Sequence, residues 1–125
     1  MDKQSFASPE AAPAVGPYSA ALGAGGFVFL SGQIPLEPDG KIVGPMPKEQ
    51  ARKALENMRA TLAAAGLTLA DVVKTTIFLK DMDDFGAVNE VYAEFFSEPY
   101  PARSTVQVAR LPKDVRLEIE AIAMR

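Results

Sequence analysis

YPARSTVQVARLPKDVRLEIEAIAMR, residues 100–125, alternates apolar and polar side chains twice over. Val106 and Val108 mark the first alternating run; Val115, Leu117, Ile119, Ala121 and Ala123 mark the second. A period of two over this length predicts two half-buried strands. Residues 110–114, with Pro112 among them, form the joining loop, where a missing ladder donor does no harm. Read as a hairpin, the pair brings the polar faces of both strands together whenever the apolar faces coincide. Arg103, Thr105 and Gln107 would then share a face with Arg116, Glu118 and Glu120. One register sets Thr105 opposite Glu118, with Arg103 one diagonal step away. A guanidinium and a carboxylate would thereby reach one small site. The alternative is a surface ion pair of little energetic weight.

Length and composition limit what such a site can do. A chain of 125 residues is expected to form one domain, residues 1–125, burying about two thirds of its unfolded surface. The formal net charge is −3 and no block of Lys or Arg stands out, which argues against nucleic acid as a partner. There is no cysteine, so disulfides, thiolate metal sites and thiol nucleophiles are excluded. There is no histidine either, which removes the usual general base and the usual transition-metal ligand, and no metal site is expected. Chemistry falls to Glu, Asp, Lys, Arg, Tyr, Ser, Thr or backbone. No apolar run reaches transmembrane length, and the opening MDKQSFASPE lacks the apolar core of a secretory leader. A cytoplasmic location is the expectation.

From the N-terminus, residues 1–13 are polar, contain Pro9 and Pro13, and read as a loosely held lead-in. GPYSAAL (residues 16–22) moves from a Gly-Pro break into a short strand, and Gly25-Gly26 signals a hairpin turn. FVFLSGQ (residues 27–33) is the next strand; its first four residues are apolar on both faces, which predicts a central strand covered on both sides. A loop rich in Pro and Gly follows, with Asp39-Gly40 as a tight turn. PKEQARKALENMRATLAAAGL is the clearest helix, with Ala51, Leu55, Met58, Leu62 and Ala65 on one stripe, Pro47 in its first turn and Gly66 beyond its end. Residues 68–71 resemble a brief capped turn. Residues 72–80, VVKTTIFLK, are rich in β-branched side chains and read as a strand. A second helix over residues 85–96 carries Phe85, Val88, Tyr92, Phe95 and Phe96 as its apolar stripe, with Asp83 or Asp84 to cap its start. These three phenylalanines read as core.

The predicted order is β-β-α-β-α-β-β, an α+β chain with a mixed sheet and both helices on one face. FVFL and TIFL ask for cover on the other face as well. A second copy of the same sheet is the simplest cover, which predicts a homo-oligomer; a monomer with a ligand-filled face is the alternative.

GPYSAAL, SGQIPL, NMRATLAAAGL, VVKTTIFLKDMDDFGAVNEVYAEFF and YPARSTVQVARLPKDVRLEIEAIA, in that order, resemble the RidA/YjgF family, the reactive intermediate deaminases. The resemblance covers nearly the whole chain, and the ordered set is far more specific than any one motif. It implies a chorismate-mutase-like fold and a homotrimeric barrel with sites in the clefts between subunits. It implies hydrolysis of enamines and imines of 2-oxo acids, such as 2-aminoacrylate and 2-iminobutanoate, to the 2-oxo acid and ammonia, with no cofactor. Arg103 matches the family's site arginine and can hold the substrate carboxylate in a two-pronged pair. Glu118 matches the glutamate that positions water and moves protons; Glu120, two residues on, is its rival. Tyr18, Ser31, Gly32 and Asn89 match positions that line the pocket. Thr105 stands where many members carry cysteine, so thiol redox chemistry at that position is excluded here. Family members have also been described as endoribonucleases or translation inhibitors. A non-catalytic trimer, binding a 2-oxo acid as a sensor or acting as a chaperone, is the third reading.

Overall fold

The computed structural model describes residues 2–125. Strands β1 (Gln4–Phe6), β2 (Ala21–Ala24), β3 (Phe27–Gln33), β4 (Val72–Leu79), β5 (Ala102–Gln107) and β6 (Leu117–Met124) accompany helices α1 (Pro47–Ala64) and α2 (Phe85–Phe95). The six strands form one mixed sheet in the order β1-β2-β3-β6-β4-β5. Every neighbouring pair is antiparallel except β4 and β5, which run parallel. The α+β architecture is as expected, with one strand added at its start. Residues 4–6, read as a loose lead-in, pair with β2, where Phe6 lies opposite Ala21 and packs against the core. Among the described residues no helix is long and apolar enough to cross a membrane.

The main departure concerns the last two strands. They do not form a hairpin. β4 runs between them, with Phe78 paired to Val106 on one side and to Glu118 on the other. The alternating pattern was right for each strand and silent about its neighbour. Two strands separated by a short loop need not pair when a third can satisfy the ladders of both. Here α2 supplies the long crossover that a parallel β4–β5 pair requires.

Both helices cover one face. Leu55, Met58 and Leu62 of α1 and Val88, Val91 and Tyr92 of α2 bury against Val28, Leu30, Ile77, Leu79, Leu117 and Ile119 of the sheet. α1 begins on Pro47, whose missing N–H removes a donor that would lack a helical partner, and it ends before Gly66 at φ 77°. Thr68 and Asp71 cap the following turn reciprocally. Asp84, a candidate cap for α2, does not cap it by hydrogen bond; its carboxylate takes the Nη1–H of Arg116 at 3.0 Å instead.

The other face is open in the single chain. Phe27 is 44% exposed, Phe29 43%, Val106 42% and Met124 51%, all on the side away from the helices. The expectation that β3 is covered on both sides therefore fails within one chain; only Val28 and Leu30 of its apolar run are buried there.

Residues 34–46 are tied to α1 by side chains of that helix. Asn57 Nδ2 donates to the carbonyl oxygens of Ile34 and Leu36, both at 3.0 Å. Gln50 Nε2 donates to the Gly44 carbonyl at 2.6 Å, and its Oε1 accepts from the Arg116 N–H at 2.8 Å. Glu49 accepts from the Met46 N–H at 2.8 Å. These bonds fix the chain leaving β3, and with it Ser31 and Gly32.

Candidate active site

Arg103 lies on β5 opposite Thr75 of β4. Thr75 is buried under α2, so Arg103 faces the helix layer at the sheet's edge. Its guanidinium carbon stands 4.7 Å from the centre of the Tyr92 ring and 5.6 Å from that of Phe85. Asn89 lies between those two on the same side of α2. Phe85, Asn89 and Tyr92 follow i, i+4, i+7 spacing, which aligns them on one helical face. A cleft of about 450 Å³ opens here, lined by Asn89, Tyr92, Ala93, Tyr100, Pro101 and Arg103. Burial pushes the Tyr92 hydroxyl above its ordinary pKa, against the opposing pulls of its Thr75 hydrogen bond and the Arg103 charge. Thr105 is two residues along from Arg103 and shares its side of the strand. Its Oγ1 is buried and has no hydrogen-bond partner among the described residues.

Glu118 lies on the opposite face of the sheet, flanked on its own strand by the buried Leu117 and Ile119. It is half-buried, and its carboxyl is raised above the usual glutamate range, first by burial and then by the neighbouring Glu120. Glu120 is exposed. Between Leu30 and Gln33 three steps on β3 oppose two on β6, from Ala121 to Ile119. That extra residue is a bulge at Ser31–Gly32, a device that bends a strand locally. It brings the backbone of Gly32 against the Glu118 side chain. A Cβ on Gly32 would stand 2.8 Å from Glu118 Cγ and overlap its carboxylate, so only glycine leaves Glu118 in place. Ser31 Oγ donates to the Ser19 carbonyl at 2.6 Å, so its proton is already engaged. Tyr18 is 49% exposed, and its hydroxyl accepts from the Val15 N–H at 3.3 Å. Val15, Tyr18, Ser31, Gly32, Lys113 and Glu118 line a cleft of about 490 Å³. The Lys113 ammonium donates to the Gly40 carbonyl at 3.3 Å.

The candidate residues thus fall into two groups. Arg103, Thr105 and Asn89 gather at the helix-side edge; Tyr18, Ser31, Gly32 and Glu118 gather on the open face. The expected meeting of Arg103 with Glu118 inside one chain is overturned. Its physical cause is the inserted β4: Arg103 pairs with Thr75 and Glu118 with Phe78, three residues apart on one strand and so on opposite faces. Phe85, read as core, is 38% exposed and lies against Arg103. Tyr92, Tyr100 and Lys113 were not singled out for the site. The helical spacing of Phe85, Asn89 and Tyr92 was the available signal for the first of them. Among the described residues no group of three or more acidic side chains is placed to hold a metal ion.

The family model described as Endoribonuclease L-PSP matches residues 9–125. The chain belongs to this family, the YjgF/RidA family. It is 57% identical over 112 residues to a RutC family protein of Pyrococcus horikoshii, covering 89% of each chain. It is 50% identical over 125 residues, 98% of each chain, to the 2-iminobutanoate/2-iminopropanoate deaminase of Salmonella typhimurium. Among solved structures, Escherichia coli TdcF with bound serine superposes with a TM-score of 0.92 at 50% identity over 98% of both chains. The family resemblance read from the ordered motifs is borne out. The names carried within the family include both deaminase and endoribonuclease.

The unpartnered Thr105 hydroxyl gives a direct test. A buried hydroxyl without a partner has lost its water and gained nothing in return. Thr105→Val keeps the shape and removes the orphan, so it should raise unfolding stability by about 1 kcal/mol. Denaturant unfolding at fixed protein concentration measures this; a loss of stability would show that the hydroxyl is partnered in the folded protein.

Proposed function

We propose that this YjgF/RidA member hydrolyses imines of 2-oxo acids, including 2-iminobutanoate and 2-iminopropanoate, the latter reached from 2-aminoacrylate by proton transfer to carbon. The observation that carries this reading is the state of Arg103, a guanidinium held against aromatic rings with no carboxylate of its own within 4 Å among the described residues. Such a group is prepared for a small carboxylate from outside. The 50% identity to a named 2-iminobutanoate/2-iminopropanoate deaminase supports the same reaction.

In this mechanism Arg103 holds the substrate carboxylate through two parallel N–H bonds. Glu118, as carboxylate, takes a proton from water as its oxygen attacks the imine carbon. The carbon becomes tetrahedral, bearing a hydroxyl and an amino group. Glu118, now a carboxylic acid, returns the proton to nitrogen. The C–N bond then breaks, ammonia departs, and the hydroxyl gives its proton to the restored Glu118 carboxylate and through it to ammonia, leaving the 2-oxo acid. The balance is one protonated imine and one water to one 2-oxo acid and one ammonium ion. Tyr18, Ser31, Gly32 and Asn89 border the bound substrate, and Thr105 stands behind them beside Arg103, its hydroxyl buried.

Arg103 and Glu118 face opposite sides of one sheet, so they act together only across a boundary between copies. We therefore assign the site to a cleft between subunits of a homotrimer, with the open face and its Phe27, Phe29 and Val106 covered by neighbours. An exposed apolar face of this kind favours burial against an identical copy. Light scattering at micromolar concentration should give the trimer mass; a monodisperse monomer would refute this arrangement.

Two substitutions test the chemistry. Arg103→Ala should nearly abolish the acceleration of ammonia release that the added protein gives a threonine dehydratase reaction, and weaken 2-oxobutanoate binding. Glu118→Gln keeps the shape but carries no proton, so kcat should fall by about 10²–10⁴ while 2-oxobutanoate still binds. Full turnover in Glu118→Gln with loss in Glu120→Gln would transfer the role to the rival glutamate. Full turnover in both would rule out glutamate-assisted water attack. RNA cleavage by nuclease-free protein, abolished in Arg103→Ala, would support the endoribonuclease name instead; the acidic balance and lack of histidine count against it.

The raised carboxyl of Glu118 sets a pH dependence. A base must be ionised, so kcat/KM should fall on the acid side as pH drops through the raised value, above the range of an ordinary glutamate. Glu120→Gln removes the second cause and should move that limb to lower pH. The stability effect has the opposite direction: the folded state favours the protonated Glu118, and that contribution is lost as pH rises through the folded value. A pH–rate profile whose acid limb ignores Glu120 would remove the coupling.

A further inference from the structure

Arg103 is held by ring faces rather than by charge. Tyr92, the nearer ring, is itself immobilised: it stacks on Phe96 with ring centres 4.4 Å apart, and its hydroxyl lies 2.8 Å from Thr75 Oγ1. Thr75 is the residue paired directly with Arg103 across β4 and β5. The arginine's backbone and its aromatic support are therefore anchored at the same point of the sheet. Phe85, one turn before Asn89, approaches the same guanidinium with its ring centre 5.6 Å from Cζ.

We propose that Phe85 and Tyr92 are positioning residues for carboxylate recognition, an aromatic clamp that fixes the plane of Arg103 and leaves its N–H fork free. This deepens the deaminase reading and rests on it. The chemistry follows from the shape of the group. A guanidinium presents its faces to aromatic rings and its five N–H donors in its plane. A carboxylate partner would orient it equally well, but would occupy the same donors that a substrate carboxylate needs and cancel the charge that attracts it. Rings orient without competing. Tyr92, buried and tied by its hydroxyl, supplies the rigid side; Phe85, at the rim, supplies the side nearest the solvent.

Because Phe85 is 38% exposed, its replacement separates positioning from folding. Calorimetric binding of 2-oxobutanoate, an unreactive carboxylate probe, is compared in the wild-type protein, Phe85→Leu, Phe85→Tyr and Arg103→Ala, each first shown to melt as the wild type does. Phe85→Leu should weaken binding by about 3- to 30-fold, the span of one cation–π contact from exposed to desolvated. Phe85→Tyr, which restores the ring, should restore the affinity. Wild-type affinity in Phe85→Leu, with binding lost in Arg103→Ala, would overturn the clamp and leave the deaminase reading standing. Equal loss in Phe85→Leu and Phe85→Tyr would also overturn it, since the ring would then not be what matters. Wild-type affinity in Arg103→Ala would overturn the carboxylate role of Arg103, and the clamp with it.

Discussion

The parallel pairing of β4 with β5 constrains the rest of the molecule. Once α2 carries the chain across the helix layer, β5 must lie outside β4, and β6 must enter on the other side to reach β3. That insertion puts β6 and β4 inside the sheet and β5 at its edge. It also decides which way each strand's alternating residues point. Arg103 is sent towards α2 and Glu118 towards the open face, although both occupy positions with a polar neighbour pattern. The edge position explains why polar residues of β5 can face the helix layer: α2 covers this strand only in part, and the rim remains wet.

Much of this was legible in the residues, and the remainder was absent for a physical reason. The stripe Ala51, Leu55, Met58, Leu62 and the terminators Pro47 and Gly66 fixed α1 closely, because a helix is a local object whose period is written in its own side chains. Gly25-Gly26 fixed the β2–β3 turn in the same way. The pairing of β5 was not local. Its alternation is compatible with any neighbour, and nothing in the loop at 110–114 records that β4 lies between the two strands it joins. The strand at Gln4–Phe6 leaves no mark in the sequence because three residues carry no period.

The candidate site shows the same division. The residue identities came through the ordered family motifs, while their arrangement did not. The need for glycine at position 32 arises only in the fold: a bulge brings backbone against the Glu118 side chain, and a Cβ would displace the carboxylate. Ser31 was read as a hydroxyl for substrate; the structure engages its proton with Ser19. Phe85 was read as core because an aromatic on an apolar stripe usually is. Its place at the first turn of α2 leaves it at the rim, over Arg103 rather than beneath the helix.

The bonds from α1 to residues 34–46 have a consequence for how the protein opens. Glu49, Gln50 and Asn57 hold successive parts of that segment, and Gln50 also grips the backbone of Arg116 at the entry to β6. Long surface segments ordinarily fray independently and exchange their amide hydrogens early. This one is fastened to the most buried helix of the fold, along the length of that helix. Its release demands the loss of several side-chain bonds at once, so the segment belongs to the same cooperative unit as the core. The chain on either side of Gly32 is thereby steadied by helix packing some distance away, and the entrance to the Glu118 cleft inherits the persistence of the core and not that of a surface loop.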